Sequence, residues 1–292
     1  MKLGILVEAE EGLDWDSWRA TYSAADRLGF DSVWLSDHLQ SPWPAARHRL
    51  EPWTALAVAA AETRLLTLGP LVSPITFREP AIVARMAETL DGLSGGRFVI
   101  GLGLAWYANE HAAAGISFPS VIERSRRLTD GIDRIRCELG DRRIPILIGG
   151  KGSRSTLPVV ARSADEWNLT TASPLEFHRA SAELDRLCRE VGRDPHEIGR
   201  SAAMGVLMGR DSVELAQRAD KMRRCVPPFA ETDDVLEAAR RMGWVVGTPE
   251  EIIASLRRLA AAGVDRAILG HYDLSQTAVL ELLAQAVLPA VM

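Results

Sequence analysis

Eight short apolar runs, each followed by a stretch of helical periodicity, constrain this chain more than anything else in it. They cover residues 3–7, 31–36, 66–72, 98–100, 145–148, 167–169, 202–208 and 266–269. Continuous apolar runs of this length suit strands of a parallel sheet, whose two faces are both covered, better than half-exposed strands, which alternate. Helices are predicted between them over residues 15–28, 51–62, 80–90, 119–137, 154–162, 174–191, 249–262 and 275–286, with further helical stretches inside 212–242. Pro52 stands where a first helical turn tolerates proline, Pro80 opens the next helix, and Gly29 stops the first one. Strand and helix alternating without a linker imply βαβ units with right-handed crossovers. Eight strands in 292 residues favour a single α/β domain over residues 1–292, closed as a (β/α)8 TIM barrel, over an open doubly wound sheet.

Charge and cysteine usage narrow the partners. A formal charge of −5, with arginines interleaved among acids, argues against a nucleic-acid footprint, which needs clustered cations. No apolar run is long enough to span a bilayer, and the first residues enter a strand without a leader pattern, so a cytoplasmic protein with no membrane partner is expected. Cys137, Cys188 and Cys225 are odd in number and widely spaced, which disfavours disulfides and a metal site.

In a parallel barrel the chemistry belongs beyond the carboxyl ends of the strands. The fourth strand ends in Gly101-Leu102-Gly103, followed by Leu104 and Trp106. This Gly-x-Gly lets backbone approach a flat or anionic ligand, but it lacks the third glycine of the dinucleotide fingerprint. The second strand ends in Asp37-His38, where an imidazole is placed to move a proton and Asp37 to orient the loop. The loop Gln40-Ser41-Pro42-Trp43-Pro44 follows, and Trp43 and Trp106 are each candidates to cover a ring or simply to fill the rim. Gly149-Gly150-Lys151-Gly152 lies between strand and helix, where free N–H groups make an anion site, and Thr170 and Thr171 end the next strand with two hydroxyls. The other reading of that segment is a plain glycine-rich turn. Glu110 is assigned to helix-dipole stabilisation and His48, His178 and His196 to polar surroundings, while His271, just past the last strand, stays a candidate.

Several of these segments together resemble the bacterial luciferase-like superfamily. They are residues 28–38, 51–54 (Glu-Pro-Trp-Thr), 90–97 with Gly101-Leu102-Gly103, 145–150, 164–168 and 246–250, in order along almost the whole chain. The Asp-His pair and the Glu-Pro-Trp-Thr helix start are similar to the branch that uses the deazaflavin coenzyme F420, whose sister branch uses FMN. The resemblance implies a TIM barrel holding a tricyclic ring at its mouth, hydride transfer to or from a small-molecule substrate with His38 handling the proton, and a homodimer. It also implies a bulged third strand behind the ring at Leu71, Val72 and Ser73, with a non-proline cis peptide at Pro70-Leu71 or its neighbour, and a phosphate region at residues 149–152 and 170–171. The alternatives are an FMN-dependent monooxygenase and a catalytically silent flavin-binding protein. Two departures matter. The segment before residue 145 is short, which implies a more open mouth, and Leu104 stands after Gly103 where sugar-phosphate dehydrogenases of the superfamily carry glutamate, which counts against glucose 6-phosphate.

Overall fold

The computed structural model describes residues 1–43, 48–171 and 173–292; Pro44, which closes the expected aromatic loop, lies outside them. Ten strands form one parallel sheet: β1 Lys2–Val7, β2 Ser32–Leu35, β3 Thr67–Pro70, β4 Ser73–Pro74, β5 Ile100–Gly103, β6 Ile146–Gly149, β7 Glu166–Thr170, β8 Gly199–Met208, β9 Val245–Gly247 and β10 Arg266–Gly270. Their order is β3-β2-β1-β10-β8-β7-β6-β5-β4. The two ends of that order are halves of one stave, because β3 and β4 are consecutive in the chain and flank a cis peptide bond at Leu71–Val72. The ring closes where the Val99 N–H donates to the Leu68 carbonyl at 2.9 Å. Counting that stave once, all eight predicted strands are present. The addition is β9, three residues that pair with the outer part of β8 and that sequence reading absorbed into the approach to the next helix.

Helices cover the outside because their apolar positions recur on one face. In Val121–Leu139 the buried Leu128, Ile132, Ile135 and Leu139 repeat at steps of three and four, while Arg126 pairs with Glu123 and Asp130 on the solvent side. Ser120 starts this helix by accepting the Glu123 N–H.

Strand pleating sorts the core into two compartments. Leu6, Trp34, Val99, Leu147, Ala203 and Ile268 point inward and fill the lumen, with Leu71 and Val72 packed on them. Leu3, Ile5, Val33, Leu68, Ile100 and Ile146 point outward against the helices. A separate cluster, including Leu207, Leu215, Met222, Phe229 and Trp244, forms within the segment that leaves β8 and returns at β9. That segment flanks the carboxyl end of the barrel, and Trp244 packs so closely on β8 that a Cβ on Gly205 would come within 2.1 Å of its indole.

Candidate active site

A cavity of 690 Å³ opens at the carboxyl ends of the strands, with walls from Glu8, Glu10 and His38 through Leu71, Val72, Gly103 and Trp106 to Gly149, Thr170 and Tyr272. Its size is that of small-molecule sites in general. A second depression of 620 Å³ lies at the opposite end, among Met1, Leu3, Asp265 and Leu288, and carries no imidazole or cysteine. The candidate site is therefore the mouth, where the imidazole and the buried acids gather.

His38 leaves β2 into the mouth and meets a partner from across the barrel. Glu110, in the first turn of the helix Ala108–Ala113, is completely buried, and both its carboxylate oxygens lie 3.1 Å from His38 Nδ1. The same carboxylate accepts the Leu39 N–H at 2.9 Å. This corrects the reading of Glu110 as an acid needed only for the helix dipole: the first helical turn faces inward, and a carboxyl at zero exposure needs its polar atoms matched. Burial by itself would push the His38 imidazolium down. The hydrogen bond to Glu110 and the fields of Glu10, Glu110 and Glu8 outweigh it and raise the group to about 9. At neutral pH the ring is protonated, with Nδ1 committed to Glu110 and the other side of the ring to the cavity.

Glu8 and Glu10 follow β1 directly. Ser36 donates its hydroxyl to Glu10 and accepts the Ala9 N–H at 2.7 Å, so the hydroxyl ties the ends of β1 and β2 together. Burial, then the neighbouring Glu8, pushes Glu10 up to about 8, and burial likewise raises Glu8. Sequence reading missed both, although two acids immediately after an apolar strand were visible. Trp106 stands edge-on to His38, with ring centroids 5.5 Å apart at 76°. Trp244 stacks on Tyr272 at 4.6 Å and 15°, giving the mouth a second aromatic wall that also went unread.

The Asp37 side chain turns away from the cavity. It accepts from Arg78 at both oxygens and from Ser73 Oγ and Trp53 Nε1, locking the end of β2 to β4 and to the start of the helix Pro52–Glu62. Ser73 is buried in the same network, so neither side chain lines the mouth, whereas Leu71 and Val72 do. The cis peptide lies at Leu71–Val72, the neighbour of the bond expected. The small size of Gly103 has a protein cause: a Cβ there would come within 2.5 Å of Val72, and one on Gly149 within 3.1 Å. These glycines make room for the bulge.

The far end of the mouth is a hydroxyl end. Gly150, Gly152, Ser155, Thr156, Thr170 and Thr171 line it. The Gly150 N–H is spent on the Asn168 carbonyl, and the N–H groups of Ser155, Thr156 and Leu157 at the following helix start converge on the Gly152 carbonyl, so these four donors are already used. What faces the cavity instead are the hydroxyls of Ser155 and Thr156, packed so closely over Gly152 that a Cβ there would meet Ser155 Oγ at 2.2 Å. Thr171 Oγ1 donates to Glu176, which also holds the exposed Lys151 at 2.9 Å; Lys151 is not in the lining.

Two of the other histidines are buried, and they differ. His111 is core: Nδ1 donates to the Tyr107 carbonyl at 2.9 Å, Nε2 takes the Thr76 hydroxyl at 2.7 Å, and Phe77 and Phe118 flank the ring. His271 follows β10 but turns outward into a pocket of 20 Å³ beside Arg218 and Met222, with both ring nitrogens unpartnered among the described residues. Burial lowers it to about 4, against the pull of Asp273. No group of three or more His, Cys, Asp or Glu among the described residues is arranged to hold a metal ion. No helix among them is long and apolar enough to cross a membrane.

A parallel eight-stave barrel with an imidazole–carboxylate pair in an aromatic mouth defines the class of protein. Residues 1–266 match the model of the luciferase-like monooxygenases, and the chain belongs to that family. Among curated proteins it is similar to the F420-dependent hydroxymycolic acid dehydrogenase of Mycobacterium tuberculosis, 28% identical over 88% of this chain and 80% of that one. It is also similar to the F420-dependent glucose-6-phosphate dehydrogenase of Amycolatopsis mediterranei, 26% identical over 91% of each. Among solved structures an F420-dependent secondary alcohol dehydrogenase in complex with an F420-acetone adduct superposes with a TM-score of 0.83 at 20% identity, over 100% of this chain and 99% of that one.

Proposed function

We propose that the protein is an oxidoreductase that moves a hydride between coenzyme F420 and a small organic substrate, with His38 as the proton-bearing group. The observation that carries this reading is the His38–Glu110 pair: a protonated imidazole, held at Nδ1 by a fully buried carboxylate, faces a 690 Å³ mouth. The full-length likeness to F420-dependent dehydrogenases supports the choice of coenzyme. When bound, the deazaflavin supplies or accepts the hydride. The chain fits such a group: Leu71 and Val72 offer an apolar ledge for a flat ring, and the Gly152 cradle under Ser155 and Thr156 suits a polar, phosphate-bearing tail.

The chain's own residues account for the rest. Glu110 fixes which nitrogen of His38 meets the substrate and keeps the ring charged through neutral pH, so the imidazolium is a proton donor to a developing alkoxide in the reducing direction. In the oxidising direction the neutral ring takes the hydroxyl proton. Trp106 shields that proton from water on one side. A homodimer belongs to the same reading; it would cover Ile82 and Leu93, exposed on the helix Pro80–Ser94, and sedimentation at micromolar concentration checks it.

Titrating F420 and FMN separately into the purified protein, followed by tryptophan fluorescence, tests the coenzyme. Saturable F420 binding is expected. Tight FMN binding with no response to F420 would replace this reading with the flavin monooxygenase one.

A further inference from the structure

Exposed apolar side chains normally scatter over a surface, and their concentration around one opening marks a binding site for apolar matter. Here Trp43, Trp106, Val121 and Met242, between 39% and 65% exposed, all line the same mouth. Trp244 and Tyr272 continue that wall inward as a stacked pair. The polar groups on this side are the His38 imidazole and the carboxyls of Glu8, Glu10 and Glu11, and among the described lining residues there is no lysine or arginine. A phosphate or carboxylate on the substrate would find no guanidinium or ammonium there, and the His38 imidazolium is already paired with Glu110.

We propose that the substrate is a flat, apolar carbonyl compound, or the matching alcohol, that carries no anionic group, gripped by Trp43, Trp106 and the Trp244–Tyr272 stack with its oxygen toward His38. The inference rests on the hydride-transfer reading above and names its substrate class. The aromatic faces supply area at low entropic cost, because each ring has two torsions to fix. Glu8 and Glu10 do not touch the reacting atoms; protonated they offer an anion no cation to pair with, and as Glu10 ionises above about pH 8 it repels one. In the reducing direction the carbonyl carbon gains the hydride, its π pair moves to oxygen, and that oxygen takes the proton from His38. Reduced F420 is the two-electron donor and is left oxidised.

Three probes test this on protein pre-loaded with F420: acetophenone, benzoylformate, which is the same scaffold with a carboxylate, and glucose 6-phosphate. Binding is read by tryptophan fluorescence and turnover by oxidation of reduced F420. Acetophenone is expected to bind and to be reduced, with benzoylformate and glucose 6-phosphate at least tenfold weaker. Trp106→Ala, on an exposed side chain that folding does not need, is expected to weaken acetophenone at least fivefold and F420 by much less. Glu8→Gln combined with Glu10→Gln, compared with the wild type by binding at about pH 9, where Glu10 is ionised, is expected to shift the preference toward benzoylformate over acetophenone at least fivefold. Either anion binding as tightly as acetophenone to the wild type overturns the proposal, as does an unchanged preference in the double variant. F420 bound with acetophenone ignored overturns this inference alone, whereas a protein that binds no F420 overturns the parent reading with it.

Discussion

His38 and His271 stand at equivalent points, each just past the carboxyl end of a barrel strand, and the fold treats them in opposite ways. Both are enclosed, and burial pushes both imidazoliums down. His38 has Glu110 at 3.1 Å and two further acids nearby, and ends near 9; His271 has no hydrogen-bond partner among the described residues and ends near 4. Strand position places a histidine at the chemistry end of a barrel; a carboxylate from elsewhere in the chain decides whether it holds a proton at neutral pH.

Replacing each histidine should therefore break different things. His38→Gln is expected to lower turnover with a neutral ketone and reduced F420 by roughly 100-fold or more, the usual share of a general acid. Coenzyme affinity measured by fluorescence should move little. A variant that turns over as fast as the wild type would remove His38 from the mechanism. His271→Phe should leave turnover within about twofold, since its ring faces the small pocket behind the mouth.

The pH dependence of stability should split the same way. His38 is raised from 6.5 to about 9, so its contribution is complete below pH 6.5 and is lost as pH rises through 9. His271 is lowered from 6.5 to about 4, so the protein loses stability as pH falls from 6.5 through 4. Each shift corresponds to about 3 kcal/mol, as an order of magnitude. Glu8, Glu10, Glu11, Glu110 and Tyr272 surround the mouth end, so the comparison uses differences between proteins rather than the wild-type curve alone. Urea unfolding at about pH 4.5, 7 and 9.5 should show the acid loss vanish in His271→Phe and the alkaline loss shrink in His38→Gln. Curves that fall together at both ends would mean that the two rings share an environment after all.

Glu110→Gln sharpens the comparison by moving His38 toward the condition of His271. The amide still accepts the Leu39 N–H but removes the charge that holds the imidazolium, so the His38 pKa should fall. Loss of the charge-assisted bond should cost about 2 kcal/mol in unfolding free energy. The limb of the pH–rate profile assigned to His38 should shift to lower pH, and a readout of that limb separates positioning from mere destabilisation. Stability that drops while the limb stays fixed would make Glu110 a packing residue only.

How much of this was legible in the sequence follows from the range of each interaction. The eight strands were legible because a strand covered on both faces writes itself as a local apolar run, and β9 was not because three residues are too few for any period. The position of His38 in the mouth was legible from its place after β2. Glu110 was not: the pair spans 72 positions, and a glutamate in a first helical turn already has a sufficient local explanation. Asp37 orients its loop as expected, but the partners that hold Asp37 and Lys151 were not legible. Each stands beside a recognisable motif, yet Arg78 takes the one and Glu176 the other, and nothing nearby in sequence announces those partners.

The smallest effect concerns the backbone that sets Trp106 beside His38. Ala105 has φ 68°, the one non-glycine residue with positive φ among the described residues, and it directly precedes the indole that meets the imidazole edge-on. The left-handed region costs a residue with a Cβ about 1 kcal/mol or more, while glycine adopts it freely at the price of a more flexible unfolded chain. The two terms oppose, so Ala105→Gly should stabilise the protein by roughly 0.5–1 kcal/mol, read as a rise of about 2 °C in melting temperature. The same change frees the loop, and Trp106, already 65% exposed, should lose part of its hold on the imidazole. Greater stability together with a weaker ketone grip is the expected pair of outcomes. A destabilised variant would mean that the Cβ of Ala105 makes a contact worth more than the strain it carries.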